Sequence, residues 1–234
     1  MSRLAALAAG VAAVAASAVW VAVAPEHSGL PLLLAAMGLV VVGAAWLETG
    51  TGASKEIVLV ATLAAVAAAG RVLFVAIPGV QPVTVIVVAA GAALGARAGF
   101  ATGALAALAS NFFLGQGPWT PWQMLGWGAC GLAGAALAGL VRHRFAFAAV
   151  CFVLGFAFSA MMDLWFWVAF WPHTWQALTV VMGQGIWYEA AHAVGNVVIA
   201  LAIGPELRRL LERYARRLRT EVVWASSSPL PLRQ

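Results

Sequence analysis

Charge is what this sequence has least of. Only 9% of its 234 residues are Asp, Glu, Lys or Arg, against about a quarter in an ordinary soluble domain. With 64% apolar residues beside so little charge, a water-soluble core cannot account for the composition. A long polar stretch that could form a second, aqueous domain is also missing. Apolar runs near or above the roughly 20 residues that cross ~30 Å of hydrocarbon recur along the whole chain, which makes it one membrane domain. Cysteine is scarce: Cys130 and Cys151 lie in separate apolar segments without metal-ligand spacing, so they read as small core residues. There is no GxxxxGK[ST] loop, because GTGASKE around Lys55 lacks the glycine before the lysine, and so no ATP site is written here. GxSxG, HExxH and CxxC patterns are missing too. No resident cofactor or metal is expected.

The apolar runs predict eight spans: Leu4 to Ala24, Leu30 to Leu47, Ile57 to Ile77, Val83 to Ala96, Phe100 to Leu114, Trp122 to Val141, Phe145 to Trp171 and Gln184 to Ile203. All should be helices, since a helix satisfies its own backbone hydrogen bonds in lipid. The expected class is therefore all-α, a polytopic transmembrane bundle of about eight helices. The fourth and fifth runs are short, with a tight turn over Gly95 to Gly99, and suit helices that sit inside the bundle, tilt or end below the surface.

Placing both termini in the cytoplasm puts Arg3, Lys55, Arg97, Arg142, Arg144 and the tail arginines Arg208, Arg209, Arg213, Arg216, Arg217 and Arg219 on one side, with no Lys or Arg in the opposite loops. The formal charge of +5 thus reads as membrane orientation and anionic headgroup contact, not nucleic-acid binding. Arg71 alone is stranded inside a span, where it must snorkel, pair or line a cavity. The first run also resembles a signal peptide with Pro25 after the cut, but its apolar stretch is long and we read it as a retained helix. From Glu206 to Val223 acids and arginines alternate as in a solvated surface helix, before the disorder-prone string SSSPLPLRQ.

The stretch Ser110 to Gly128, SNFFLGQGPWTPWQMLGWG, gathers three tryptophans, two prolines and several amides at the junction of two spans. Trp119, Trp122 and Trp127 fit an interfacial aromatic belt. Asn111, Gln116 and Gln123 do not, because buried amides need partners, and an aromatic wall with convergent amides makes a ligand pocket. Gly99, Gly103 and Ala107 precede Asn111 at intervals of four, a close-packing stripe that ends in an amide suited to an interhelical bond or a ligand contact.

The last span carries Glu189, His192 and Asn196 on one face, and such a polar stripe must face the bundle interior or a wet cavity. Asp163 lies in the preceding span, whose outer end is the aromatic run Trp165 to Trp171 followed by His173. Three readings stand side by side. Glu189 or Asp163 neutralises Arg71; the groups bind substrate; or Glu189 and His192 hold a metal with Asp163 or His173, in an intramembrane metal-dependent enzyme. The metal reading ranks last, because a pair at this spacing is a weak signal.

The run from Lys55 to Gly139, with KEIVLVATLAAVAAAGRVLF, IPGVQPVT and GARAGFATGALAALASNFFLGQGPWTPWQMLGWG, resembles the S components of energy-coupling factor transporters, most closely the subgroup associated with cobalamin. SNFFLGQGPWTPWQ is its specific part. The resemblance implies a six-helix core over residues 55–204, preceded by an extra hairpin at 1–48 and followed by a basic cytoplasmic tail at 205–234. It implies a non-enzymatic subunit of a multi-pass importer in the bacterial cell membrane. Such a subunit captures a vitamin from outside and works with a transmembrane coupling protein and two cytoplasmic ATPases that drive its toppling. Arg71, Asn111, Gln116, Trp119, Trp122, Gln123, Trp127, Asp163, Glu189, His192 and Asn196 are the expected substrate-binding set, while Gln81 reads as a polar loop residue beside Pro82. Ala61, Ala65 and Ala69 match the alanine spacing by which the family's first core helix meets the coupling protein, although Ala64 and Ala68 match it too.

Overall fold

The structure is a computed structural model that describes residues 3–23, 29–47 and 54–219. Its elements are α1 (Arg3–Val23), α2 (Gly29–Leu47), α3 (Ser54–Leu73), α4 (Val83–Leu94), α5 (Ala96–Leu114), α6 (Thr120–Ala136), α7 (Arg144–Phe170) and α8 (Trp175–Arg219), with a 3-10 turn at Leu140–Arg142 before α7. No strand occurs among the described residues. Three of these helices are long and apolar enough to cross a membrane, over Lys55–Leu73, Arg144–Phe170 and Trp175–Arg217. Shorter apolar runs occupy Ala5–Ser17, Leu30–Gly43 and Val83–Leu94.

The short α4 is central. Every residue from Val83 to Gly91 is buried, and α3, α5, α6, α7 and α8 all touch it. A helix that is apolar on every side has no solvent face to present, so the β-branched run VTVIVV is read here as core. At its end the expected turn over Gly95 to Gly99 contracts to one residue: Gly95, at φ 101°, ends α4, and α5 begins at Ala96. This left-handed backbone is open to glycine without steric cost.

The small-residue stripe expected on α5 faces α6. A methyl on Gly99 would stand 2.7 Å from the Gly131 carbonyl oxygen, and Gly103 abuts the backbone of Trp127 and Gly128. From α4, Gly91 meets the Gly131 carbonyl while Gly134 of α6 abuts the Val88 backbone. Three helices therefore pack backbone to backbone, an approach that any side chain would block.

The amino-terminal hairpin packs α1 on α2, with Gly38 against the Gly10 carbonyl, and α2 reaches the rest of the fold through contacts such as Gly43 on the Phe100 ring. Pro25, where the alternative cleavage would fall, lies outside the described residues.

At the other terminus the structure departs from expectation. The last helix starts at Trp175 and runs unbroken to Arg219, straight through Pro205. Proline has no N–H for the carbonyl four residues back. That carbonyl, on Leu201, is met instead by Arg144 Nη2 of α7 at 3.1 Å. The arginine-rich end is not wholly solvated either. Leu211 is 2% exposed within the main core cluster and Arg208 is buried, and Arg208 pairs Glu212 while Arg209 pairs Glu206. The predicted stretch from Thr220 onward, including SSSPLPLRQ, lies outside the described residues.

Candidate functional site

The end of α3, the segment 74–82, the α5–α6 junction, the later part of α7 and the middle of α8 meet at one end of the bundle. Arg71 organises them. Its Nε donates to Gln81 Oε1 at 2.9 Å, and its Nη1 donates to Ser110 Oγ at 2.7 Å and Asn111 Oδ1 at 2.6 Å. Beneath it the guanidinium lies 4.9 Å from the centroid of the Trp127 ring, and that ring stacks on Phe158 at 4.3 Å. The charge thus rests on neutral oxygens and a π face. No ion pair joins Arg71 to Asp163 or Glu189, so the expectation that one of these acids neutralises it is not met. Its Nε and Nη1 are spent on three neutral acceptors instead.

Asn111 is the second hub. It is 1% exposed, accepts from Arg71, and donates through Nδ2 to Thr120 Oγ1 at 2.9 Å and Gln123 Oε1 at 2.8 Å. Its position at the end of the small-residue stripe explains this, since the stripe brings α5 close enough for one amide to bond the first turn of α6. Both openings left for Asn111 narrow to the interhelical one, with the amide holding the site's wall.

On α8, His192 is 1% exposed, and its Nδ1 lies 2.7 Å from the Gly79 carbonyl oxygen. A carbonyl only accepts, so Nδ1 carries the proton and Nε2 accepts from Asn196 Nδ2 at 3.3 Å. Gly79 makes the approach possible: at φ 76°, a methyl there would also sit 2.8 Å from the Tyr188 carbonyl oxygen. With both ring nitrogens engaged, His192 is a poor metal ligand, and no group of three His, Cys, Asp or Glu able to hold a metal ion is found among the described residues.

A cavity of about 160 Å³ lies between α7, α8 and Arg71, lined by Gln81, Gln123, Phe158, Asp163, Tyr188, Glu189 and His192 among others. Of the expected site residues, Arg71, Gln123, Asp163, Glu189 and His192 line it. Asn111, Trp127 and Asn196 stand behind these; Trp127 and Asn196 are completely buried, which removes Trp127 from any interfacial belt. Trp122 stacks on Trp165, centroids 6.5 Å apart. Gln116 and Trp119 do not line the cavity. Gln116 is exposed and ties the 115–119 loop, donating to the Leu108 carbonyl at 3.1 Å and accepting from Thr120 Oγ1 at 2.9 Å, and Trp119 covers Gly117.

Gln81 corrects the sequence reading in the other direction. It is 8% exposed and bridges Arg71 to the Tyr188 hydroxyl, its Nε2 donating at 3.3 Å. Its only sequence signal was a lone amide in an apolar loop opposite a stranded arginine. Tyr188, Phe158 and Ser159 were missed, because an aromatic or a serine in an apolar helix carries no mark of the face it occupies.

No family model, no curated protein and no solved structure matches this chain.

Proposed function

We propose that the chain is a multi-pass protein of a bacterial cell membrane and the substrate-binding subunit of an energy-coupling factor type importer. It would capture a vitamin-class molecule from outside, without catalysis of its own, and pass it inward with a transmembrane coupling protein and two cytoplasmic ATPases. The observation that carries this reading is the convergence of polar side chains from four helices on one cavity at one end of an otherwise apolar bundle. Buried polar groups in such surroundings are costly unless they serve binding or structure. The basic residues Arg142, Arg144, Arg208 and Arg209 gather at the opposite end, so the positive-inside rule turns the cavity outward.

The alanine faces of α3 also support this reading. Ala61, Ala65 and Ala69 are exposed, whereas Ala64 and Ala68 are buried in the bundle. The outward stripe is the one free to meet a coupling protein, and small residues let two helices approach closely in lipid.

The resemblance points to cobalamin. The cavity volume of about 160 Å³ lies below the ~300–1,000 Å³ that holds drug-sized ligands. A corrin therefore requires the cavity to widen, and a smaller vitamin requires less.

The test is titration of the purified full chain with a vitamin panel that includes cobalamin, with Asn111→Ala and Trp122→Ala beside it. Tight binding by the natural chain that both variants lose supports the importer reading. Binding by no panel member, with zinc or iron held stoichiometrically, replaces it with the intramembrane metal-dependent enzyme built on Glu189, His192 and Asp163.

A further inference from the structure

The most unbalanced chemistry in the fold is the acid pair Asp163 and Glu189, in the cavity that Arg71 also lines. Glu189 is 1% exposed. With both acids ionised, neither of its carboxyl oxygens nor Asp163 Oδ2 finds a hydrogen-bond donor among the described residues. The two side chains converge above Gly185, where a methyl would stand 2.5 Å from Asp163 Oδ2 and 3.3 Å from Glu189 Oε1. Both residues line the cavity. No basic side chain among the described residues bonds to them: the hydrogen bonds of Arg71 go to Gln81, Ser110 and Asn111, and His192 is engaged by Gly79 and Asn196.

Buried carboxyl oxygens without donors are expensive, and the cost falls when a cation with N–H groups occupies the space between them. The remaining walls suit such a guest. Phe158 and Tyr188 offer aromatic surface, which attracts organic cations, and Gln81, Gln123 and Ser159 offer hydrogen bonds to its neutral part. A space of about 160 Å³ admits one ring or a short chain. Arg71, which lines the same cavity, disfavours a second positive charge beside it and favours an acceptor there.

Resting on the importer reading, we infer that the transported substrate is a small organic cation whose charged nitrogen sits between Asp163 and Glu189, with an acceptor group directed toward Arg71. A proton shared by the two carboxyls joins one oxygen of each and leaves the other Glu189 oxygen without a donor, and a bare metal ion leaves the aromatic wall unused.

The experiment titrates the full chain, in detergent and in lipid nanodiscs, with thiamine and pyridoxamine as cations, pantothenate and biotin as anions, and riboflavin and cobalamin as neutral ligands. Heat and tryptophan fluorescence are read. At least one cation should bind, and Glu189→Gln and Asp163→Asn should each weaken it about tenfold or more. Gly185→Ala, which keeps both charges and displaces the Asp163 carboxyl, should weaken it as well. Thermal unfolding of each variant, run in parallel, separates lost binding from lost folding. Binding confined to neutral or anionic members, or cation binding that the carboxyl variants leave unchanged, overturns this inference and keeps vitamin capture. Carboxyl variants that alter only the sodium or pH dependence of unfolding overturn it in favour of an ion or proton site. Binding by no panel member overturns both readings.

Discussion

Replacing Arg71 by Met keeps an apolar stem over Trp127 and removes every charged donor from the hub. Asn111 Oδ1, in a residue 1% exposed, and Gln81 Oε1, in one 8% exposed, then lose their donor. Each orphaned buried acceptor costs about 1–3 kcal/mol. Ser110 loses less, because its hydroxyl keeps its bond to the Ala107 carbonyl at 3.1 Å. The single variant should therefore lose about 2–6 kcal/mol. Asn111→Leu should lose a similar amount, since it strips partners from Arg71, Thr120 and Gln123 at once. Combining the two removes both ends of the 2.6 Å bond, so the double variant should be more stable than the sum of the singles by about 1.5–3 kcal/mol. The assay is reversible denaturant unfolding in mixed micelles, followed by tryptophan fluorescence. Losses that add within about 0.5 kcal/mol would refute the claim that Arg71 and Asn111 act as one hub.

Three further expectations follow from packing. Gly91→Ala should destabilise by about 3 kcal/mol or more, because its methyl meets the Gly131 and Ala135 backbone, which has no flexible side chain to displace; Gly139→Ala, with nothing within 4 Å of the new methyl, should change the unfolding midpoint little. Ala65→Leu should leave ligand binding and stability intact and abolish co-purification with the coupling protein, whereas Ala64→Leu should lower the unfolding temperature first; equal effects from the two would sink the assignment of the outward face. Arg144→Gln should cost about 1 kcal/mol in the natural chain, as one charged hydrogen bond is lost, and nearly nothing in a Pro205→Ala background, where the Leu201 carbonyl regains a backbone donor; the same loss in both backgrounds, measured by denaturant midpoint, would show that Arg144 does not serve the proline.

Helix positions were largely legible because apolar run length and glycine punctuation are local properties. Val83 to Leu94 and the α5 stripe were read from them directly. The continuity of α8 was not, since Pro205 is a stop signal by local rules and becomes tolerable only when Arg144, from another helix, takes the freed carbonyl. Within the site, Asn111, Gln123, Glu189 and His192 stood out as polar residues in apolar surroundings. Arg71 stood out too, but not its partners: opposite charge suggested Asp163 or Glu189, whereas distance gave Gln81, Ser110 and Asn111. Gln116 and Trp119 shared the site's composition without its geometry, because the loop folds back on Leu108 and Gly117.

The unbroken α8 makes two remote chemistries mechanically one. Glu189 and Arg213 lie on the same helix, and at about 1.5 Å per residue they are separated by roughly 36 Å of continuous backbone. A pull on the arginine-bearing end is therefore delivered to the acid wall of the cavity with a single weak joint on the way, at Pro205, pinned to α7 by Arg144. Releasing that pin would let the shaft bend before the load arrives, so the Arg144 guanidinium sets whether the two ends move together or apart.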